Sequence, residues 1–374
     1  MFDMDTYIVV GGGILGATTA YRLSKAGAKV TLVDRCDEGK ASIAAAGIVC
    51  PWLSQRRNQA WYQLAKGGAK YYPSLIKELE ADGETNTGYV QIGAIALHSD
   101  EQKLDKMEER VRKRCVDAPE IGQLTRLTQA ETKELFPPLS DEYGAVHVSG
   151  AARVNGKALC EALIRAAKRY GTRFIQGDAE LRFSKNKVSG VSIGEEVNLA
   201  DQVIVTAGAW AKEILQPLGI EFQIKPQKAQ IVHLELPETK TDLWPVVMPP
   251  TNQYLLAFEG GNVVVGATHE DEVGFDNRVT AGGLHEILTK ALMIAPGLES
   301  STVVETKVGF RPVAPGFLPI IGPIPNYQGI LVANGLGSSG LTVGPYLGAE
   351  LAKLALGEKT EIDLSLYDVA AAMK

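Results

Sequence analysis

Near its start, the chain changes its hydrophobic period twice within one short stretch. Residues 7–10 are continuously apolar, which predicts a buried strand. Apolar residues then recur at helical spacing over residues 17–26, and Gly27 marks the expected helix end. A second apolar run covers residues 29–33 and closes on Asp34. This order predicts a strand–helix–strand unit with parallel strands.

The turn between the first strand and the helix reads GGGILG and fits the spacing G-x-G-x-x-G. Gly11 permits the tight turn, Gly13 lets the backbone approach a pyrophosphate, and Gly16 lets the helix pack closely on the strand. The helix N-terminus offers free N–H groups to the phosphates. Asp34 lies 18 residues past Gly16, can accept hydrogen bonds from ribose hydroxyls and would repel a 2′-phosphate. The stretch predicts a dinucleotide site that disfavours NADP and leaves NAD and FAD open.

Composition narrows the classes of protein that need to be considered. The chain has 374 residues and a net charge of −6, which suits one large or two intertwined domains and argues against a nucleic-acid footprint. No apolar run is long enough to cross a bilayer, and the first residues are acidic where a signal peptide is basic. We therefore expect a soluble cytoplasmic protein. The four cysteines are widely spaced, which predicts reduced thiols and no metal site.

Later segments of the chain contain further predicted strands and helices, and one of them repeats the strand, glycine turn and helix of the first segment. Residues 155–170 predict an amphipathic helix, and the apolar run at 203–211 ends in small residues. Residues 329–356 read as a strand, a Gly/Ser turn and a helix. A second anion-binding turn is unnecessary for NAD but suits a flavin, whose N1–C2=O edge becomes negative on reduction.

The small-residue run at 41–47 either lies against a flat ligand or packs a helix tightly. The charged run at 99–114 predicts a solvated helix.

Six motifs, in their order and spacing, make the sequence resemble the D-amino-acid oxidase superfamily of FAD enzymes, most closely its glycine oxidase branch. They are GGGILG with Asp34, AAAG at 44–47, TAGAW at 206–210, GFRP at 309–312, LPIIG at 318–322 and NGLGSSGLT at 334–342. The resemblance covers nearly the whole chain. It implies an α/β plus antiparallel β fold, with a Rossmann-like FAD-binding domain (1–85, 146–220 and 306–374) interleaved with a mostly antiparallel substrate domain (86–145 and 221–305) that roofs the flavin.

The same resemblance implies non-covalent FAD and assigns residues to it. The implied cofactor-binding residues are Gly11, Gly13, Ile14, Leu15, Gly16, Asp34, Arg35, Lys40, Ala41, Ser42, Ala46, Gly47, Ile48, Ala179, Ala207, Gly208, Trp210, Arg311, Leu336, Gly337, Ser338, Ser339, Gly340, Leu341 and Thr342.

Three residues are the candidates for substrate binding and catalysis. Arg311 offers a planar fork that matches a carboxylate, and the resemblance places it facing the flavin. Tyr254 resembles the tyrosine whose hydroxyl reaches the same carboxylate, and His269 lies where glycine oxidases line the pocket. Each residue also has a structural interpretation. Arg311 could form a structural ion pair, Tyr254 could be an ordinary half-buried strand residue, and His269 could bond only a neighbouring carbonyl.

The sequence also departs from the family pattern. Ser338 stands in the C-terminal turn where glycine oxidases have a basic residue, which puts strict glycine specificity in doubt. Pro315-Gly316 replaces a usual Asp-Gly, and Lys40 replaces a common arginine. A last group, Trp52, Arg56, Arg57 and Trp61, either lines a pocket for a larger or acidic substrate or forms a surface helix with buried tryptophans, which we favour.

The resemblance implies an oxidative deamination without a side-chain base. A neutral amine would lose a hydride to flavin N5, and the products would be a keto acid, ammonia and hydrogen peroxide. The implied partners are a small amino acid or amine, dioxygen and further copies of the chain in a homo-oligomer. The main alternative is a D-amino-acid dehydrogenase that passes electrons to a quinone or a protein. A sarcosine-type oxidase, a tRNA-modifying protein and a non-catalytic flavin-binding protein fit less well.

Overall fold

The computed structural model describes residues 5–237 and 239–374. In chain order the strands are β1 (Thr6–Val10), β2 (Lys29–Asp34), β3 (Ile48–Val49), β4 (Tyr89–Gln91), β5 (Ala94–His98), β6 (Leu124–Leu127), β7 (Gly144–Val148), β8 (Ala152–Val154), β9 (Arg173–Gln176), β10 (Ala179–Ser184), β11 (Lys187–Ile193), β12 (Glu196–Leu199), β13 (Gln202–Val205), β14 (Lys225–Glu235), β15 (Val246–Met248), β16 (Tyr254–Ala257), β17 (Asn262–Gly266), β18 (Thr302–Val313), β19 (Ile320–Pro323) and β20 (Ile330–Asn334). The α-helices are α1 (Ile14–Lys25), α2 (Ala41–Ala44), α3 (Gln59–Ala81), α4 (Glu101–Arg114), α5 (Gln129–Leu135), α6 (Gly156–Arg169), α7 (Ala211–Leu215), α8 (Ala281–Ile294) and α9 (Gly340–Ala355).

A six-stranded sheet carries both glycine turns. Its order is β19-β20-β13-β1-β2-β9, and the neighbouring strands are parallel except for β19 at the edge. The buried apolar strands are typical of a parallel sheet that helices cover. Strands β20, β13 and β1 are neighbours, so the turns that follow their carboxyl ends meet at one edge of the sheet.

An eight-stranded sheet lies beside it in the order β18-β14-β17-β16-β15-β5-β7-β6. Its pairs are antiparallel except for β15 with β5. The longest pair joins β14 to β18 in register from Lys225 opposite Val313 to Glu235 opposite Thr302. Two antiparallel three-stranded sheets, β10-β11-β12 and β3-β8-β4, complete the set in the described part of the chain.

The strand patterns agree with the parallel and antiparallel regions expected from the sequence. The predicted limits at 146 and 306, however, fall inside β7 and β18, and β4 pairs with β8 across another limit. These strands continue through the limits because they stay paired on both sides of them, β7 with β5 and β6 and β18 with β14. The division into two domains therefore stays a prediction.

A local capping signal placed helix α6 correctly, and the charged run at 99–114 contains the expected helix. Asn155 accepts a hydrogen bond from the Ala158 N–H (3.1 Å) at the start of α6, and Asp100 caps α4 within the charged run. Strand β18 includes Pro312 and continues to Val313. Pro312 lies opposite Pro226 in the β14–β18 pair, at a position where neither strand supplies an N–H donor.

Among the described residues, no helix combines the length and apolar character that a bilayer crossing requires.

Candidate active site

One elongated cavity runs along the edge where the turns after β1, β13 and β20 meet. It holds about 1510 Å³ of space free of atoms, counting its solvent-open part. Its wall is shared between the six-stranded sheet and strands β14, β16 and β18 of the eight-stranded sheet. The first glycine turn and the C-terminal glycine turn both line this cavity, although they lie at opposite ends of the chain.

Two buried side chains connect the turns to each other. The Thr206 hydroxyl donates to the carbonyl oxygens of Val10 (3.0 Å) and Gly11 (2.9 Å), which ties the β13 turn to the first glycine turn. The Asn334 amide donates to the Gly208 carbonyl (2.9 Å), and its oxygen accepts from the Gly335 N–H (2.7 Å). Backbone polar groups that a tight turn leaves unpaired are thereby satisfied, so the cavity wall is held in one arrangement.

Gly16 lies behind the wall, where it sets the distance between helix and strand. An added Cβ would lie 1.9 Å from the Gly11 carbonyl oxygen and 2.4 Å from Thr206 Oγ1, so only glycine fits. Gly16 itself does not line the cavity. Its packing role is the one expected from the glycine spacing.

Asp34 is buried at one end of the cavity, with a relative exposure of 5%. Its carboxylate accepts hydrogen bonds from the N–H groups of Gly12 and Cys36 and from Lys40 Nζ. Burial alone raises the pKa of Asp34, but Lys40 and the two N–H groups outweigh burial and the pKa lies below its ordinary value. An ionised acceptor is thus fixed where ribose hydroxyls are expected.

The small-residue run contributes to the cavity wall. Ala41 to Ala44 form the short helix α2, and the chain then passes along the cavity as far as Ile48. Ser42 Oγ accepts a hydrogen bond from the Ile14 N–H (3.0 Å) at the start of α1. Of the two interpretations left open by the sequence, the lining of a cavity describes most of this run.

Arg311 and Tyr254 lie at the same cavity, on the neighbouring-sheet strands β18 and β16. The Tyr254 hydroxyl lies beside the Arg311 guanidinium. Burial lowers the pKa of Arg311 and raises that of Tyr254, and each group partly offsets the shift of the other. Arg311 Nη1 has a long contact (3.4 Å) with Gln227 Oε1, and no carboxylate within residues 5–237 or 239–374 lies within 4.0 Å of the guanidinium.

Arg311 is half-buried, and a guanidinium that loses part of its hydration without gaining an acidic partner is costly to keep. The structural ion pair considered as the alternative for Arg311 is therefore not formed among the described residues.

Not every candidate residue lines the cavity. Ser339 is buried and accepts a hydrogen bond from Trp61 Nε1 (2.9 Å), and Thr342 Oγ1 donates to the Ile48 carbonyl (2.8 Å). Both side chains lie behind the cavity wall, where these hydrogen bonds stabilise it. His269 is exposed on the segment after β17 and lies outside the lining residues. Partial desolvation and the charge of Arg311 lower the pKa of His269, so the two groups are within electrostatic reach.

The remaining candidates line the cavity. They are Gly11, Gly13, Ile14, Leu15, Asp34, Arg35, Lys40, Ala41, Ser42, Ala46, Gly47, Ile48, Ala179, Ala207, Gly208, Trp210, Tyr254, Arg311, Leu336, Gly337, Ser338, Gly340 and Leu341. The group of two tryptophans and two arginines at residues 52–61 lies elsewhere. Trp52 and Trp61 are buried and Arg57 is exposed. Arg56 stacks over Trp61 and donates a hydrogen bond to the Phe317 carbonyl. None of these four side chains lines the cavity.

Several lining residues were not expected from the sequence. Phe310 and Pro312 flank Arg311, and Ala229 and Ile231 come from β14. Asp37 and Asp178 lie at the Asp34 end, where both contact Arg35. The motif GFRP contained a signal for Phe310, but β14 carries no motif and its place at the cavity depends on pairing with β18.

The wall leaves room for a dinucleotide. Gly208, Gly337 and Gly340 line the cavity, and a Cβ added to any of them would meet no protein atom within 4 Å, so these backbones face open space. Together with the glycine turn at α1 and the ionised Asp34, this surface fits a flavin dinucleotide. The cysteines Cys36, Cys50, Cys115 and Cys160 are free, and none lines the cavity.

These features define a dinucleotide-binding protein, and comparison with known proteins specifies its class and family. The family model described as DAO, FAD dependent oxidoreductase, matches residues 6–354. The chain belongs to this family, in its glycine oxidase-like branch, and FAD is its cofactor.

Three relatives illustrate the similarity. The chain is 62% identical over 371 residues to the uncharacterized oxidoreductase YurR of Bacillus subtilis (strain 168), covering 99% of this chain and 100% of YurR. It is 28% identical to the glycine oxidase of Pseudomonas putida, over 96% and 97% of the two chains. The structure of iminodiacetate oxidase (IdaA) from Chelativorans sp. BNC1 matches with a TM-score of 0.94 and 46% identity, over 97% and 98% of the two chains. The protein is an FAD-dependent oxidoreductase of the glycine oxidase and iminodiacetate oxidase type.

Proposed function

We propose that this protein oxidises the carbon–nitrogen bond of a small amino acid or N-substituted glycine, with non-covalent FAD and with dioxygen as the electron acceptor. The observation that carries the proposal is the half-buried guanidinium of Arg311, which lacks a carboxylate partner among the described residues and shares the cavity with the dinucleotide-binding turns. The named activities of the glycine oxidase and iminodiacetate oxidase relatives support the substrate class.

In this proposal, Arg311 binds the substrate carboxylate through two parallel hydrogen bonds, and the Tyr254 hydroxyl donates a third. These contacts fix the orientation of the Cα–N bond, which lowers the entropic cost of reaching the reactive geometry. The lining candidates Gly11, Gly13 and Asp34 hold the diphosphate and ribose of FAD. The part of the C-terminal turn that lines the cavity, Leu336 to Ser338 and Gly340, would lie beside the redox ring, where its backbone N–H groups would stabilise negative charge.

FAD, when bound, supplies the oxidising power because it accepts a hydride. The substrate loses two electrons and two protons overall and becomes an imine. Water hydrolyses the imine to a carbonyl acid and ammonia, or to an amine when the nitrogen carries a second substituent. Dioxygen takes up the same two electrons and two protons and leaves as hydrogen peroxide.

The chain's own side chains provide binding rather than proton transfer. The carboxylates that line the cavity are Asp34, Asp37 and Asp178, and Arg35 contacts the latter two at the end of the cavity that holds Asp34. Among the described residues no acidic side chain lines the cavity beside Arg311. The substrate amine therefore reacts in its neutral form, after losing its proton to solvent.

A peroxide assay under air tests the proposal. The panel contains glycine, sarcosine, iminodiacetate, and D- and L-amino acids, and each is matched with an amine that lacks the carboxylate, such as methylamine. We expect peroxide and oxygen uptake in equal amounts with at least one carboxylate-bearing amine, and none with its matched amine. Dye reduction without peroxide would contradict oxygen as the acceptor, and equal rates for the matched amine would contradict the role of Arg311.

A further inference from the structure

A fully buried lysine lies on the face of β14 that points away from the cavity. Ala229 and Ile231 line the cavity, and side chains alternate along a strand, so Lys228 and Gln230 lie on the opposite face. Lys228 is 1% exposed, and its Nζ lies 3.6 Å from both Glu270 Oε2 and Asp276 Oδ2. The proposed function assigns no task to this cation.

Both carboxylates belong to residues 268–280, a segment between β17 and α8 that we call the strap. Gln230 fastens the strap at both ends. Its amide donates to Glu270 Oε1 (2.7 Å) and Thr280 Oγ1 (2.9 Å), and its oxygen accepts from the Thr280 N–H (2.9 Å). Thr268 Oγ1 also donates to Glu270 (2.7 Å). A buried network of this kind is stable only with every partner in place, so it fixes the path of the strap.

The middle of the strap packs against the cavity wall. Phe275 stacks on Trp210, with ring centroids 5.1 Å apart and planes 11° apart, and meets Phe310 edge-on at 5.2 Å. Trp210 and Phe310 both line the cavity. Asn277 donates to Glu38 Oε2 (2.9 Å), in the loop that also carries Lys40, the partner of Asp34. The strap therefore reaches from the eight-stranded sheet to the Asp34 end of the dinucleotide site.

We infer that the strap is a clamp for FAD, and that buried Lys228 is the positioning residue that holds the clamp closed through Glu270 and Asp276. The closed strap keeps Trp210 and Phe310 in place at the wall. FAD binding and strap closure then favour each other by the same factor, because the coupling of two equilibria is reciprocal. Without the buried cation, Glu270 keeps its bonds to Gln230 and Thr268, and Asp276 keeps its ion pair with Arg278. The attraction between Lys228 and both carboxylates is then lost, which favours the open strap.

The chain offers a matched control for Lys228. Lys225 lies on the same strand and bonds Glu272 of the same strap (2.9 Å), but both side chains are largely exposed. An exposed pair contributes little, so Lys225→Met removes a strap contact without disturbing closure. Phe275→Ala and Asn277→Ala loosen the far side of the strap and leave the buried network intact.

Two measurements on the holoenzyme test the inference. On serial dilution, the rise in flavin fluorescence gives the FAD dissociation constant. We expect it to increase at least about tenfold for Lys228→Met and Phe275→Ala, and to stay within about twofold for Lys225→Met. Trypsin cleavage after Arg278, an exposed strap residue, reports closure. Excess FAD should slow this cleavage in the wild type and in Lys225→Met, and much less in Lys228→Met.

The opposite results would overturn the inference. They are an unchanged FAD dissociation constant in Phe275→Ala and Lys228→Met, or a cleavage rate at Arg278 that does not respond to FAD. If Lys228 served folding alone, its variant would lose thermal stability while FAD still protected Arg278. Should Lys228→Met not fold, Phe275→Ala and Asn277→Ala decide the question, since neither disturbs the buried cation.

Discussion

Replacing Arg311 with methionine removes the guanidinium while keeping an apolar side chain of similar reach. In the wild type, burial lowers the pKa of Arg311, and no carboxylate in the described chain compensates for the lost hydration. The variant therefore loses no internal ion pair. We expect the substrate-free holoenzyme to melt at the same temperature or slightly higher.

The cost appears when substrate binds. Truncating one partner of a buried, hydrogen-bonded charge pair costs about 2–5 kcal/mol. At about 1.4 kcal/mol per tenfold, KM rises about 30-fold to several thousand-fold. Arg311→Lys keeps the charge but loses the planar fork, so its KM should lie between those of the wild type and Arg311→Met.

The assay is steady-state peroxide formation with the best substrate of the panel, together with flavin absorbance and a melting curve. Arg173→Met, which removes an exposed arginine paired with Glu196, serves as the control and should leave KM unchanged. The reasoning fails if Arg311→Met has a KM within threefold of the wild type. It also fails if the variant loses its FAD or melts far below the wild type, because that outcome indicates a structural role.

Three further predictions follow from the same contacts. Asp34→Asn should weaken FAD binding about tenfold, since the amide nitrogen cannot accept a hydrogen bond. The pKa of Asp34 is lowered from its ordinary 3.8, so the ionised carboxylate stabilises the fold fully above pH 3.8. This stabilisation is lost as the pH falls below 3.8. The melting temperatures of wild type and Asp34→Asn should therefore converge only in that acid range. Gly16→Ala should lose FAD or fail to fold, because its Cβ would overlap the Gly11 carbonyl. The control Gly282→Ala, in helix α8, should melt at the wild-type temperature or higher. A normal Gly16→Ala holoenzyme would refute this packing argument. The ratio kcat/KM should rise with pH as the substrate amine loses its proton. Because the pKa of Tyr254 is raised from 10.0, ionisation of Tyr254 should cause no fall in this ratio below pH 10. A fall below pH 10 that disappears in Tyr254→Phe would contradict this.

Local patterns predicted the parts of the molecule that depend on neighbours in sequence. The first strand–helix–strand unit, Asp34 at its end, helix α4 and the C-terminal glycine turn all follow from periodicity, glycine spacing and caps within one segment. Arg311 could be proposed as a carboxylate-binding residue because GFRP is a recognisable motif, and this role stays a prediction.

Contacts between distant segments were beyond reach. The hydrogen bond between the Ser339 hydroxyl and Trp61 of α3, far away in sequence, was not foreseen, and the assignment of Ser339 to the cofactor stays a prediction. The position of His269 depends on how the strap leaves β17 and is held by Lys228 and Gln230. Strands β7 and β18 keep their pairing across the predicted limits at 146 and 306, which patterns within one segment could not show, and the division into domains stays a prediction.

A crystal structure of the holoenzyme with a bound carboxylate inhibitor tests the central claim most directly. The account predicts one FAD along the whole cavity, with its diphosphate at residues 11–16, its redox ring at residues 335–342, and the inhibitor carboxylate on Arg311 and Tyr254. An FAD that contacts only one of the two glycine turns, or an inhibitor carboxylate bound away from Arg311, would contradict it.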